Sequence, residues 1–225
     1  MKKLISVSFV ALALAFSCAI AAAVAQEEEK SQAEQVMDRL FESVDEIEPY
    51  SVIFEYMEPA NEDSRKVWRK CEFWYMGSGD YIRLEVHDGE NKGSKVAYNT
   101  DKNKEKVYAK QGFMPIAIPL SVDDKRLEGF FVSDWGSDLE DISKLADGAE
   151  LEYLGEEEIE GRAAHKIEIL NSSEEAEFDR AIVWVDKEND LLLQYEYYNG
   201  DTLDSRKTWY GYKLNRDFKA KDFKP

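Results

Sequence analysis

The sequence predicts an α+β protein that is mainly β: one antiparallel sheet of about ten strands with two helices packed on one face. Two observations carry that expectation. Most of the chain from Tyr50 onward alternates apolar and polar residues with a period of two, broken at short intervals by Gly, Asn and Asp. Only two segments follow helical spacing instead, one before the strands and one in their middle.

The chain opens with an export leader. Lys2 and Lys3 precede an apolar run from Leu4 to Ile20, and Ala23-Val24-Ala25 supplies small residues for cleavage before Gln26. Lipid modification at Cys18 is the alternative; Phe16 and the apolar residues after Cys18 speak against it. Residues 1–25 are therefore read as leader and 26–225 as a single domain, exported, with no later run long and apolar enough for a membrane helix. The full chain carries a net charge of −18, and loss of the two leader lysines makes it more negative still. Such a surface disfavours nucleic acid and anionic lipid headgroups as partners. Cys71 remains as a lone cysteine, which excludes an intramolecular disulfide.

The first helix is expected from Ser31-Gln32-Ala33-Glu34, a capping box. Ala33, Val36, Met37, Leu40, Val44 and Ile47 then share one face over about 16 residues, with a stop near Pro49. Strands follow at Tyr50–Met57, Arg65–Met76 and Tyr81–His87, then at Ser94–Asn99 and Glu105–Lys110. Between Gly112 and Phe131 the pattern breaks. Phe113, Met114, Ile116, Ile118 and Leu120 sit among Pro115 and Pro119, which block a central strand. This apolar connection is expected to be a movable cover. A second helix is expected at Asp138–Ala146, capped by Ser137, with Leu139, Ile142 and Leu145 inward and Asp147-Gly148 as its end.

Strands resume at Glu150–Glu156 and Arg162–Leu170, then close with a three-stranded ladder over Arg180–Leu214. Asn199-Gly200 is the strongest hairpin signal there and predicts a type I′ turn. In the middle strand, Leu191, Leu193, Tyr195 and Tyr197 alternate with Leu192, Gln194, Glu196 and Tyr198, so both faces need cover.

A search for chemistry finds little. His165 points toward the apolar face with Ile167 and Ile169, and His87 lies beside Arg83 and Glu85 on a polar face. No serine occupies a nucleophile elbow, no spacing fits a metal site, and the acidic runs Glu156-Glu157-Glu158 and Glu174-Glu175 read as solvated turns. No catalytic residue, metal or cofactor is predicted.

Several short stretches carry a resemblance: Gly93–Asn99, Gly161–Ile167, Val183–Asp186 and Tyr210–Asn215 with Asp222-Phe223. With the order of leader, helix, meander, apolar loop, short helix and final hairpins, they make the chain similar to the LolA/LolB-like superfamily of periplasmic proteins, relatives of the outer-membrane lipoprotein carrier. The resemblance implies a single curved sheet, an unclosed barrel with both helices on its concave face, and an apolar cavity between them. It also implies a periplasmic, non-enzymatic protein that holds a lipid, an acylated or another apolar ligand, such as a lipoprotein. An interaction or sensor module with a filled core, partnered by an envelope protein, is the alternative. Candidate lining residues are Phe54, Ile82, Leu84, Trp184, Tyr195 and Tyr197, with Phe113, Met114, Ile116 and Ile118 as cover. No residue matches the arginine that locks the carriers' lid.

Overall fold

In the computed structural model, residues 30–43, 49–58, 67–77, 79–127, 130, 134–173 and 177–225 are described. The leader, Val44, Ile47 and Glu174-Glu175 lie outside the described residues. Ala33–Pro225 forms one compact unit.

Eleven strands form one sheet in the order β6-β5-β4-β3-β2-β1-β11-β10-β9-β8-β7. They are β1 Tyr50–Glu58, β2 Val67–Met76, β3 Tyr81–Gly89, β4 Lys95–Asn99, β5 Lys106–Lys110, β6 Ile118–Ser121, β7 Glu150–Ile159, β8 Arg162–Leu170, β9 Arg180–Asp186, β10 Leu192–Asn199 and β11 Thr202–Leu214. Two meanders are joined where β1 pairs antiparallel with β11, from Tyr50↔Leu214 to Met57↔Arg206. The two edge strands, β6 and β7, do not meet, so the barrel is unclosed. Both edges are blunted: β6 is four residues long with Pro119 inside it, and β7 carries Glu156, Glu157 and Glu158. Register shifts at Ser51/Ile53, Lys70/Cys71, Tyr153/Gly155, Leu192/Gln194 and Tyr197/Tyr198 add the local bends that curl a sheet.

The topology dictates where the second helix must go. Because β6 and β7 occupy opposite edges, the chain between them has to cross the whole sheet. It does so on the concave face, carrying a 3-10 turn at Lys125–Leu127 and helix α2 at Trp135–Ala146. Helix α1, Gln32–Ser43, buries Ala33, Val36, Met37 and Leu40 in the same core. Ser43 Oγ donates to the Asp190 carbonyl at 3.0 Å, and Arg39 pairs with the Asp190 carboxylate, which ties α1 to the β9–β10 hairpin. At the other helix, Asn171 Nδ2 donates to the Leu145 carbonyl at 2.8 Å, and the Trp135 N–H donates to the Tyr50 hydroxyl at 3.3 Å.

Local chemistry corrects several expectations. Asp134, not Ser137, caps α2: its carboxylate accepts from the Ser137 N–H at 3.1 Å, so the helix starts a turn earlier than Asp138. Gly148 ends it with φ +70°, as the sequence implied. The Asn199-Gly200 signal marks the right hairpin but is displaced by one residue. Asn199 still pairs with Thr202, so the loop is Gly200-Asp201, and positive φ at Gly200 alone fits a type II′ turn. The type I′ pair is Glu160-Gly161, with φ of 49° and 81°. Within the Gly112–Phe131 connection, Ile118–Ser121 forms β6 despite Pro119, because an edge strand has a free side for a residue that cannot donate. In β10 the bulge at Leu193 breaks the simple alternation. Leu191 and Leu192 join the main core, while Leu193 falls in a smaller cluster with Ala164, Ile182 and Trp184 on the opposite face.

Candidate functional site

The two halves of the concave face are filled differently. Under β8–β10, Ile167, Ile169, Val183, Val185, Leu191 and Leu192 are fully buried against the helices. Under β2–β6 the packing opens into a cavity of about 770 Å³. That volume lies within the roughly 300–1,000 Å³ of small-molecule sites. One wall of the cavity is the sheet, with Leu84 and Val86 on β3, Val96 on β4, Ala109 on β5 and Leu120 on β6. The crossing segment supplies Leu127 and Phe130, and the β5–β6 connection supplies Met114.

Polar groups line it too: Lys95, Lys110, Gln111 and Arg126 near β4, β5 and the 3-10 turn, and a second set toward β1, β11 and α2. Asp138 from α2, Tyr195 from β10 and Lys207 from β11 meet here. Lys207 Nζ lies 2.5 Å from Asp138 Oδ2, and the Tyr195 hydroxyl donates to Asp138 Oδ1 at 3.3 Å. The Lys207 side chain is 6% exposed and that of Asp138 10%, so this is a buried ion pair between helix and sheet. Lys207 Nζ also sits 4.7 Å from the Phe54 ring centroid and 5.0 Å from that of Trp209. Burial pushes the Asp138 carboxyl up to about 6; Lys207 pulls it back and Asp134 adds to the rise. Arg69 on β2 completes this second set, with Nη2 2.9 Å from Glu90 Oε2. Cys71 also faces the cavity; burial raises its thiol to about 11, which leaves it protonated and poorly nucleophilic.

Of the ten residues singled out in the sequence, the structure brings five to this cavity: Phe54, Leu84, Met114, Ile118 and Tyr195. Ile82 and Tyr197 are buried in the packed core outside the lining. Tyr197 stacks on Phe178 at 4.6 Å. Trp184 lies on the outer face, where its Nε1 donates to Glu157 at 3.0 Å. Phe113 and Ile116 do not cover anything; they are 85% and 73% exposed beside the cavity rim.

Asp138 and Lys207 were not singled out, although a signal existed for each. Asp138 precedes Ile142 by four residues and Leu145 by seven, which puts it on the apolar stripe of its helix. Lys207 lies between Ser205 and Trp209 on the inward face of its strand, and both of those neighbours are buried. Neither histidine lines the cavity. His165 Nδ1 shares a hydrogen bond with the Tyr153 hydroxyl at 3.0 Å, and His87 Nε2 lies 3.2 Å from Glu72. Among the described residues, no group of three or more His, Cys, Asp or Glu is placed to hold a metal ion, and no helix is long and apolar enough to cross a membrane.

Residues 127–216 match a family model described as an uncharacterized protein. No curated protein matches the chain. Among solved structures, the MucA/MucB complex of Pseudomonas aeruginosa superposes with a TM-score of 0.54 at 17% identity, over 87% of this chain and 61% of that one. LprF from Mycobacterium bovis gives a TM-score of 0.50 at 10% identity, over 80% and 92% of the two chains. A LolA superfamily protein from Nitrosomonas europaea is also similar, with a TM-score of 0.40, 14% identity and coverage of 87% and 99%. The chain therefore shares its fold with MucB and LprF.

Proposed function

We propose that this is an exported, periplasmic, non-enzymatic binding protein that holds a lipid, an acylated group or another apolar ligand in the cavity between sheet and crossing segment. The observation that carries the reading is that cavity of about 770 Å³, walled by Leu84, Val86, Val96 and Leu120 next to the fully buried residues under β8–β10. A methylene takes about the space of a water in the liquid, ~30 Å³, so there is room for on the order of 25 such units. One long acyl chain or two short ones fit. At about 0.8 kcal/mol per methylene withdrawn from water, ten buried methylenes contribute roughly 8 kcal/mol before the entropy of association is subtracted. Such binding needs no reacting side chain, and the groups at the cavity suit none: the Cys71 thiol is held protonated, and both histidines lie elsewhere.

Substitution Leu84→Trp tests the reading by filling the cavity from its β3 wall. A fatty-acyl probe that fluoresces out of water is expected to bind the native protein and to lose about tenfold or more in affinity for the variant, with the urea midpoint little changed. No uptake by the native protein, or equal uptake by both, contradicts it.

A second reading has one specific support. MucB, which shares the fold, was solved in complex with MucA. Phe113 and Ile116 project from the rim of this chain and could contact an envelope protein instead of a lipid. Paired substitution of Phe113 and Ile116 by Ser separates the two: it leaves acyl uptake intact and abolishes complex formation if the exposed pair serves a protein partner.

A further inference from the structure

The cavity is not uniformly apolar: its lining carries the cations Arg69, Lys95, Lys110, Arg126 and Lys207 against the two carboxylates Asp138 and Asp141. Arg69, Tyr56 and Lys207 stand side by side across β2, β1 and β11, paired as Tyr56↔Arg69 and Tyr56↔Lys207. All three line the cavity. The Lys207 ammonium has three N–H donors. One goes to Asp138; the group otherwise faces the rings of Phe54 and Trp209, which offer no lone pair. Arg69 Nε is buried with no acceptor, while Nη2 of the same guanidinium donates to Glu90. The Tyr56 hydroxyl is committed to Glu58. Asp138 is thus the acceptor bonded to this row from helix α2, which also brings Asp141 to the lining, and burial makes the charged form of Asp138 costly.

We propose that this row is a headgroup site: the cavity takes an amphiphile whose chain lies along Leu84, Val96 and Leu120 and whose acidic head, a carboxylate or a phosphate monoester, is bound by Lys207 and Arg69. This rests on the apolar-ligand reading of the same cavity. The physical case is that a buried ammonium with unfilled donors and an unpartnered guanidinium nitrogen gain most from an anionic acceptor brought in on an apolar chain. A neutral head of the same length leaves those donors unmet. Asp138, which lines the same cavity, balances the charge of Lys207.

Competition against a fluorescent acyl probe tests it, with hexadecanoate, hexadecyl phosphate and hexadecanol as competitors. Native protein is expected to bind at least one of the two anions about tenfold or more tightly than the alcohol. Which anion is preferred distinguishes a free acyl acid from a phosphorylated lipid. Lys207→Met is expected to erase the preference while leaving the alcohol's affinity unchanged. Arg69→Gln, which removes a half-exposed side chain and leaves no buried charge unpaired, is expected to weaken the anions about threefold or more without touching the alcohol; it decides the matter if the lysine variant does not fold. Equal affinity for anions and alcohol overturns the headgroup site and leaves the apolar cavity standing. Failure of all three to bind overturns both.

Discussion

Replacing Lys207 by Met leaves the Asp138 carboxyl buried against Tyr195 without its cation, while the methionine keeps the aliphatic stem between Phe54 and Trp209. Removing one partner of a buried pair costs about 3–5 kcal/mol, against about 0–1 for a surface pair. Here the penalty depends on pH, because the abandoned carboxylate can take a proton. In the native protein, burial holds the Asp138 carboxyl near 6, above its unfolded value, in spite of Lys207. Between about 4 and 6 the folded state therefore binds more protons than the unfolded one, and the stability that Asp138 contributes at low pH is lost as pH rises through that window. Without Lys207 the folded carboxyl rises further, so the variant goes on losing stability above pH 6, by up to about 1.4 kcal/mol per unit. Urea midpoints at pH 5 and pH 8, referred to native protein at the same pH, measure this. The loss is expected to reach about 3 kcal/mol or more at pH 8 and to shrink by at least about 1 kcal/mol at pH 5. A loss below about 1 kcal/mol at pH 8, or the same loss at both values, would refute a buried pair. Pairing Lys207→Met with Asp138→Leu should restore the midpoint, since the uncompensated charge is gone.

Asp186→Ala is expected to destabilise by roughly 3 kcal/mol. This carboxylate is 1% exposed and accepts from Arg162, the Tyr212 hydroxyl and the Glu188 N–H. Burial alone would raise its pKa, but those hydrogen bonds hold it below the ordinary value. Its contribution is therefore present above the unfolded pKa and lost as pH falls through the lower folded one; an alanine variant with unchanged acid sensitivity argues against that network. Cys71 is expected to resist alkylation at pH 8 until the protein unfolds, because burial raises its thiol to about 11. A rate matching that of a free thiol, read by mass, would contradict a buried, protonated thiol.

Much of the fold is written in local patterns. The hairpin at Glu160-Gly161 and the α2 stop at Gly148 each turn on a glycine at positive φ, and the strand periods follow from alternation. What escaped has identifiable causes. β6 was hidden because Pro119 forbids a central strand, and its edge position is known only once the sheet order is known. The Leu193 bulge reversed the expected faces of β10 at one point, and Trp184 joined it on the outer face. The cavity was half legible. Phe54, Ile82 and Leu84 share the same inward alternation, yet Ile82 is sealed in the core while Phe54 and Leu84 border open space. That difference depends on where the crossing segment lies, a tertiary fact with no period in sequence. The Asp138–Lys207 pair spans 69 residues and was legible only as two charges standing on otherwise apolar faces.

The central claim is that an apolar chain occupies the space under β3–β6. A fatty-acyl ligand carrying a diazirine along its chain, photolysed with the native protein and mapped by peptide mass spectrometry, tests it most directly. Adducts are predicted on Leu84, Val96, Met114 and Leu120, and unlabelled hexadecanoate should suppress them. Adducts concentrated on the outer face around Trp184, or on exposed Phe113 and Ile116 without competition, would contradict the claim.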